Sequence, residues 1–307
     1  MGGIAGKIGK ANQKYYAEKG KKIYADFSTF AQGRALARCN AIEFCLDFAR
    51  RPSPVVVCEY GIGKGDFAKN LLGEVKRLDK RLYSKTRYYL YDFSEKMLSD
   101  ARKNLAQHSA ICVFGKFDAT REAPFQQFDY CRINELLTDL PAGLYCRKGE
   151  GIFDDGGKPA PIGSLFVSKF LERIDEGRLM PFNFKAQEFL LSLCRLGRPK
   201  FRIDLFDYGF YSADEVNLMP VEEWNRLMVR NYGGQLTVDL NIPLLLAALS
   251  SEGFAAKAER QKEYAERVLG MKLELDDSGG RLDYVKSKKS SEGISEDDGF
   301  YHLRIGR

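Results

Sequence analysis

The chain has 307 residues, a formal net charge of +6 and 44% hydrophobic residues. That length buries a large core, as one enlarged α/β domain or one domain carrying a big insertion. The charge is too mild to imply nucleic acid by itself, and the longest nearly apolar run, Ile242 to Leu249, is too short to span a bilayer. Seven cysteines (39, 45, 58, 112, 131, 146 and 194) are scattered with no C-x-x-C pair, and the only histidines are His108 and His302. No zinc site and no Ser-His-Asp triad can be assembled from these, and the cysteines read as reduced, buried small hydrophobes of an intracellular protein.

In chain order, residues 1–30 form a basic arm with Lys7, Lys10, Lys14, Lys19, Lys21 and Lys22 set against Glu18. The expectation is a solvated, mobile arm; a basic patch for an acidic partner is the second reading. The arm lacks arginine and a clear apolar face before Tyr15, so a cytoplasmic location is expected over a mitochondrial matrix one reached by a transit peptide. Residues 33–50 carry Leu36, Ile42, Cys45, Phe48 and Ala49 at helical spacing. Strand one is predicted over 54–59 and a helix over 65–80. Strand two runs from Arg87 to Tyr91, and Ser94 caps a helix with Met97, Leu98, Ala101 and Leu105 on one face. Strand three is Ala110 to Phe114, and strand four is Phe128 to Ile133. An insertion over 143–199 holds a hairpin (Leu144 to Phe153) and helices near 163–176 and 184–196. Strand five is Lys200 to Phe206, a helix covers 242–252, and residues 276–299 are Ser-, Lys-, Gly- and Asp-rich and read as a flexible loop. Phe300 to Ile305 alternates like a final strand. The expected fold is an α/β, Rossmann-like doubly wound sheet, with a core over 31–142 completed by 200–307.

The most informative stretch is Glu59-Tyr60-Gly61-Ile62-Gly63-Lys64-Gly65-Asp66, between strand one and its helix. A strand, a glycine turn and a helix N-terminus bring bare backbone against a ligand. A dinucleotide fingerprint needs its third glycine where Asp66 stands, and a P-loop needs Gly-Lys-Ser/Thr, where this chain has Gly63-Lys64-Gly65. Glu59 would repel a pyrophosphate. It suits a ligand that is cationic or rich in hydrogen-bond donors. Acid-x-Gly-x-Gly-x-Gly resembles the first motif of class I S-adenosylmethionine (SAM) methyltransferases, and SAM carries a sulfonium and an ammonium and no phosphate.

Ligands of doubly wound sheets collect at the carboxyl ends of the strands. There stand Glu59, Asp92, Asp118, Asn134 and Asp207. Asp92 can accept both hydroxyls of a ribose, Phe93 can pack on an adenine, and Asp118, beside Ala119, can accept the adenine amino group. Asn134-Glu135-Leu136-Leu137-Thr138-Asp139-Leu140-Pro141 puts an amide and carboxylates where a methyl group would face its acceptor. Glu135 or Asp139 could orient a cationic amine or guanidinium and offset its charge.

These segments resemble the MidA-like family of SAM-dependent methyltransferases, which includes the mitochondrial arginine methyltransferase of respiratory complex I assembly. Tyr15-Tyr16 and Ala25-Asp26-Phe27-Ser28-Thr29 are similar to the family's Gly-Tyr-Tyr and Gly-Asp-Phe-x-Thr. Glu59 to Gly65 follows its glycine motif, with Ile62 and Lys64 where Pro and Arg are usual. Asn134 to Pro141 follows its Asn-Glu-x-x-Asp-Ala-Leu-Pro, with Thr138-Asp139 in place of Asp-Ala. Asp207-Tyr208-Gly209 and Gln235-Leu236-Thr237-Val238-Asp239 follow its C-terminal half.

The resemblance implies a class I methyltransferase fold, SAM as cofactor and methylation of a protein side chain at an arginine ω-nitrogen. It also implies that Thr29 folds near the cofactor. Glu59, Gly61, Gly63, Gly65, Asp92, Phe93, Asp118, Ala119 and Asn134 are then the expected cofactor residues. Asn134, Glu135 and Asp139 are the expected catalytic ones, Asp207 and Tyr208 line the acceptor side, and no metal is expected. The alternatives are an RNA or small-molecule methyltransferase and a SAM-binding assembly protein without turnover. A protein substrate is favoured over nucleic acid.

Overall fold

The computed structural model describes residues 4–19, 34–52, 54–159, 165–232, 234–272, 274–276, 283–285 and 299–307. Phe27 to Thr29, and with them the implied cofactor-covering role of Thr29, lie outside the described residues.

The strands in chain order are β1 (Val55–Tyr60), β2 (Thr86–Asp92), β3 (Cys112–Lys116), β4 (Phe128–Asn134), β5 (Gly143–Lys148), β6 (Gly151–Asp154), β7 (Met180–Phe182) and β8 (Gly197–Phe210). There follow β9 (Val229–Tyr232), β10 (Gln235–Val238), β11 (Leu240–Asn241), β12 (Ala255–Arg260), β13 (Glu274–Asp276), β14 (Asp283–Val285) and β15 (Phe300–Gly306). The main sheet has the order β12-β15-β8-β4-β1-β2-β3, with β11 added beside β8. Its pairs from β3 through β8 are parallel, whereas β15 is antiparallel to both neighbours. This is the class I methyltransferase sheet, an α/β fold with one reversed strand.

The pattern of β1 shows why the sheet is buried on both sides. Val55 and Val57 enter one core with Leu71, Leu72 and Leu98, while Val56, Cys58 and Tyr60 enter the other with Phe189, Leu190 and Leu193. A strand covered on both faces has no polar side to alternate, so it reads as a continuous apolar run. Helices Arg34–Phe48 and Asp66–Leu78 cover the first face, and helix Phe184–Leu196 covers the second. Phe184–Leu196 is thus the crossover helix between β4 and β8, part of the main core rather than of an insertion. What is inserted is the three-stranded antiparallel sheet β6-β5-β7, whose third strand the periodicity does not separate. In the segment expected to be a flexible loop, β14 pairs antiparallel with β13, which ends where that segment begins.

The N-terminal segment departs further from the expected arm. Residues Ile4–Lys19 form a helix, α1, not a solvated arm. Ile8 packs on Ala142, Leu144 and Val238, and Asn12 and Tyr15 are buried. The buried positions recur at i, i+4 and i+7, one narrow stripe among exposed Lys7, Lys10 and Lys14. All seven cysteines are free, five of them buried. Among the described residues no helix is long and apolar enough to cross a membrane.

Candidate functional site

The glycine turn follows β1 at the carboxyl edge of the sheet. Gly61, Gly63 and Gly65 have φ of +74°, +54° and +76°, a region that costs other residues roughly 1–2 kcal/mol each. The three have different duties: Gly61 faces Leu136, whose Cβ and Cδ1 a side chain there would meet at 3.4 Å. A Cβ on Gly65 would come 3.0 Å from Leu105 Cδ1 and 3.3 Å from Ala101 Cβ, so this glycine lets the following helix pack on its neighbour. A Cβ on Gly63 would meet no atom within 4 Å. There the backbone faces open space, the cradle a ligand needs.

Asp92 holds that cradle in place. One of its oxygens accepts the Gly63 N–H at 3.0 Å and the other the Ser94 N–H at 2.9 Å. Burial lifts its carboxyl to about 6, against these backbone donors. The Phe93 N–H also acts on this carboxylate, and the acceptor capacity left over can serve a ribose hydroxyl. Phe93 is half-buried beside it. The Phe117 N–H donates to the Asp92 carbonyl at 3.0 Å, bringing the Phe117-Asp118-Ala119 turn alongside. In that turn the Asp118 carboxylate accepts the N–H and hydroxyl of Thr120 at 2.9 and 2.6 Å, so part of its capacity goes to its own turn.

Glu59 lies elsewhere than its place in the sequence suggests. It is 3% exposed. Its carboxylate accepts from the Tyr88 hydroxyl and, at 3.3 Å, from Arg132 Nη1. Arg132 is its register partner on β4. Burial pushes the Glu59 carboxyl upward, while Arg132 and Tyr88 oppose the rise. Glu59 therefore braces the turn from below rather than facing a cationic ligand.

The acceptor-side loop begins at the end of β4. Asn134 and Glu135 are half-buried, and Asn134 Nδ2 donates to Glu135 Oε1 at 2.9 Å. Glu135 has φ +48°, one of two positive values outside glycine among the described residues. Such strain persists only where surroundings enforce it, and it clusters at functional positions. Here the Glu135 N–H is tied to the Phe206 carbonyl at 2.9 Å.

Asp207 and Asp139 are less available than expected. Asp207 is 1% exposed and accepts the N–H groups of Leu137 and Thr138 at 2.9 and 3.3 Å, the Thr138 hydroxyl at 2.7 Å and the Tyr208 N–H at 2.9 Å. It caps the 3₁₀ turn Leu137–Asp139 and so shapes the loop. Burial drives its carboxyl up to about 8, with the Glu135 charge adding to the rise. Asp139 Oδ2 accepts from Gln235 Nε2 at 2.6 Å, and its carbonyl accepts from Asn12 of α1 at 3.0 Å. Tyr208 packs against Phe300 with ring centroids 3.7 Å apart.

Two contributors escape a sequence reading. Asn12 also bonds both backbone groups of Leu236, so α1 clamps the loop to β10. Arg132, fully buried, reaches from Glu59 to Asn134. An isolated charge within a strand looks like a solvent-facing position, and only the pairing across the sheet reveals otherwise.

Residues 40–179 match a family described as "Putative S-adenosyl-L-methionine-dependent methyltransferase". A "likely methyl transferase" from Burkholderia thailandensis, bound to S-adenosyl-homocysteine (SAH), has a TM-score of 0.61 at 15% identity over 91% of this chain and 78% of that one. An uncharacterized protein of the same superfamily and organism gives 0.62 at 16%, over 99% and 86%. The plantazolicin methyltransferase BpumL, in complex with SAH, gives 0.51 at 12%, over 99% and 96%. No curated protein matches. The chain is accordingly a SAM-dependent methyltransferase similar to the MidA-like family, and SAM is its cofactor.

Proposed function

We propose that the enzyme methylates a protein side chain, with an arginine ω-nitrogen as acceptor. The observation that carries this reading is Glu135, a carboxylate held at φ +48° at the end of β4 by Asn134 and by the Phe206 carbonyl. When bound, SAM supplies an activated methyl group. The protein's task is then to place the acceptor and remove its proton. A guanidinium is cationic beforehand, and Glu135 offsets that charge, orients one N–H and receives the proton lost at nitrogen. Asn134 orients Glu135, and Asp139 and Asp207 hold the loop that presents both. On the cofactor side, Gly63 presents bare backbone, Asp92 accepts the ribose hydroxyls, and Phe93, Asp118 and Ala119 border the adenine.

Radiolabelled SAM incubated with the enzyme and a cell extract tests the reading. Label is expected in the protein fraction and, after hydrolysis, in methylated arginine. Label confined to RNA or to small molecules would overturn it, as would no transfer to any fraction despite SAM binding. Glu135→Gln should keep SAH affinity within about threefold and lower transfer at least about a hundredfold, the lower end of a general base's contribution.

A further inference from the structure

We infer that Arg132 is a positioning residue for methyl transfer, setting the Asn134 amide and through it the Glu135 carboxylate. The inference rests on the reading of Glu135 given above.

Arg132 lies in β4 with no exposed surface. A buried guanidinium is tolerated only where its donors are met and its charge is offset. Its Nη1 donates to Glu59 Oε1 at 3.3 Å, its Nε to Asn40 Oδ1 at 3.2 Å and its Nη2 to Asn134 Oδ1 at 3.1 Å. Its Cζ stands 3.0 Å from the centroid of Phe67, in the helix that leaves the glycine turn. One side chain therefore touches the base of the cofactor turn and the first residue of the acceptor loop.

The direction of these bonds matters. A guanidinium has donors and no acceptor. The Asn134 amide must therefore turn its oxygen toward Arg132, which leaves Nδ2 on the opposite side. Nδ2 meets Glu135 Oε1 at 2.9 Å. Without Arg132 the amide could flip and present its oxygen to Glu135, where two acceptors would repel and the strained Glu135 backbone would lose a restraint. Arg132 touches neither reacting atom, so its effect should appear in the rate of transfer and not in cofactor affinity.

The test measures initial rates of labelled methyl transfer into extract protein at saturating SAM, SAH dissociation constants by calorimetry, and melting temperatures. Arg132→Lys keeps the charge beside Glu59 and cannot bridge Asn40, Glu59 and Asn134 together. It is expected to bind SAH within threefold of the parent and to lower the rate tenfold or more. Combining Arg132→Lys with Asn134→Ala should lower the rate no further than Asn134→Ala alone, because one acts through the other. Losses that multiply, or a parental rate in Arg132→Lys, would overturn the inference. If Arg132→Lys does not fold, Asn134→Asp serves. Its carboxylate suits Arg132 but has no N–H for Glu135, so SAH binding should persist with a rate down at least tenfold, and a parental rate would overturn the inference. A parental rate in Glu135→Gln would instead sink the reading of Glu135 itself. Loss there with full activity in Arg132→Lys would sink only the relay.

Discussion

Two arginines lie buried on the same face of the sheet in adjacent strands, Arg132 on β4 and Arg202 on β8, and their surroundings differ. Arg202 sits among three carboxylates. Its Nε is 2.9 and 3.0 Å from the Asp204 oxygens, its Nη1 2.5 Å from Asp47 and its Nη2 2.9 Å from Glu43. Asp204 also accepts the Tyr130 hydroxyl at 2.8 Å and faces His302 Nε2 at 3.1 Å. The other His302 nitrogen faces Glu259 at 3.1 Å, which is paired with Arg267. Burial alone would raise Asp204, but Arg202 and His302 hold it far below the carboxylate range. Among the described residues, Arg132 bonds one carboxylate, Glu59, and two amides, and lies over the rings of Phe67 and Phe206. The first network locks β8, β15 and helix Arg34–Phe48 together with redundant bonds. The second is built on one carboxylate where the first has three, and its bonds to Glu59 and Asn134 reach the site. Arg202 is held by several charges at once, whereas Arg132 links its charge partner to an amide at the site.

The comparison breaks first at Arg202. Arg202→Met leaves three carboxylates clustered around an apolar side chain. Losing one partner of a buried ion network costs roughly 3–5 kcal/mol, to be read from denaturant unfolding. The fraction still folded should bind SAH normally. A loss below about 1 kcal/mol would show that this network is not the structural one.

Gly63→Val sharpens the site side. The left-handed backbone costs the new residue about 1–2 kcal/mol, and its side chain enters space that the fold leaves open. SAH affinity should fall more than tenfold by calorimetry. Parental affinity would place the cofactor elsewhere.

Asp92 gives the smallest expected effect. Its carboxyl is lifted to about 6 by burial, and ribose hydroxyls are better accepted by the ionised form. Protonation therefore competes with binding. SAH affinity should be roughly halved by pH 6 and about tenfold lower by pH 5, a fall that Asp92→Asn removes. An unchanged affinity at pH 5 would take Asp92 off the ribose.

Much of the site was legible because its signals are local. The strand–turn–helix at Val55 to Leu78 needs only an apolar run, alternating glycines and helical spacing, and it appears within a residue or two of the predicted bounds. Strand five begins earlier than expected, at Gly197 instead of Lys200. Its register with β4 shifts near Phe128, and Lys200 itself has φ +59°. A bulge of that kind depends on the partner strand, not on the strand's own composition. Over residues 4–19 the lysines hide the helix from the sequence, because the meaning of Ile8, Asn12 and Tyr15 depends on Ala142, Leu144, Val238 and Leu236 being brought beneath them.

By itself, then, the sequence determined the order of elements, the turn and the row of acids and amide at the strand ends, since periodicity and backbone conformation act over a few residues. Which way those acids point was decided only by the tertiary structure. Glu59 turns under the turn because Arg132, 73 residues away, is its neighbour in register. Asp207 caps a loop 70 residues earlier for the same kind of reason. A buried carboxylate goes to whichever donors the sheet order places beside it, and that order exists only once the chain has folded.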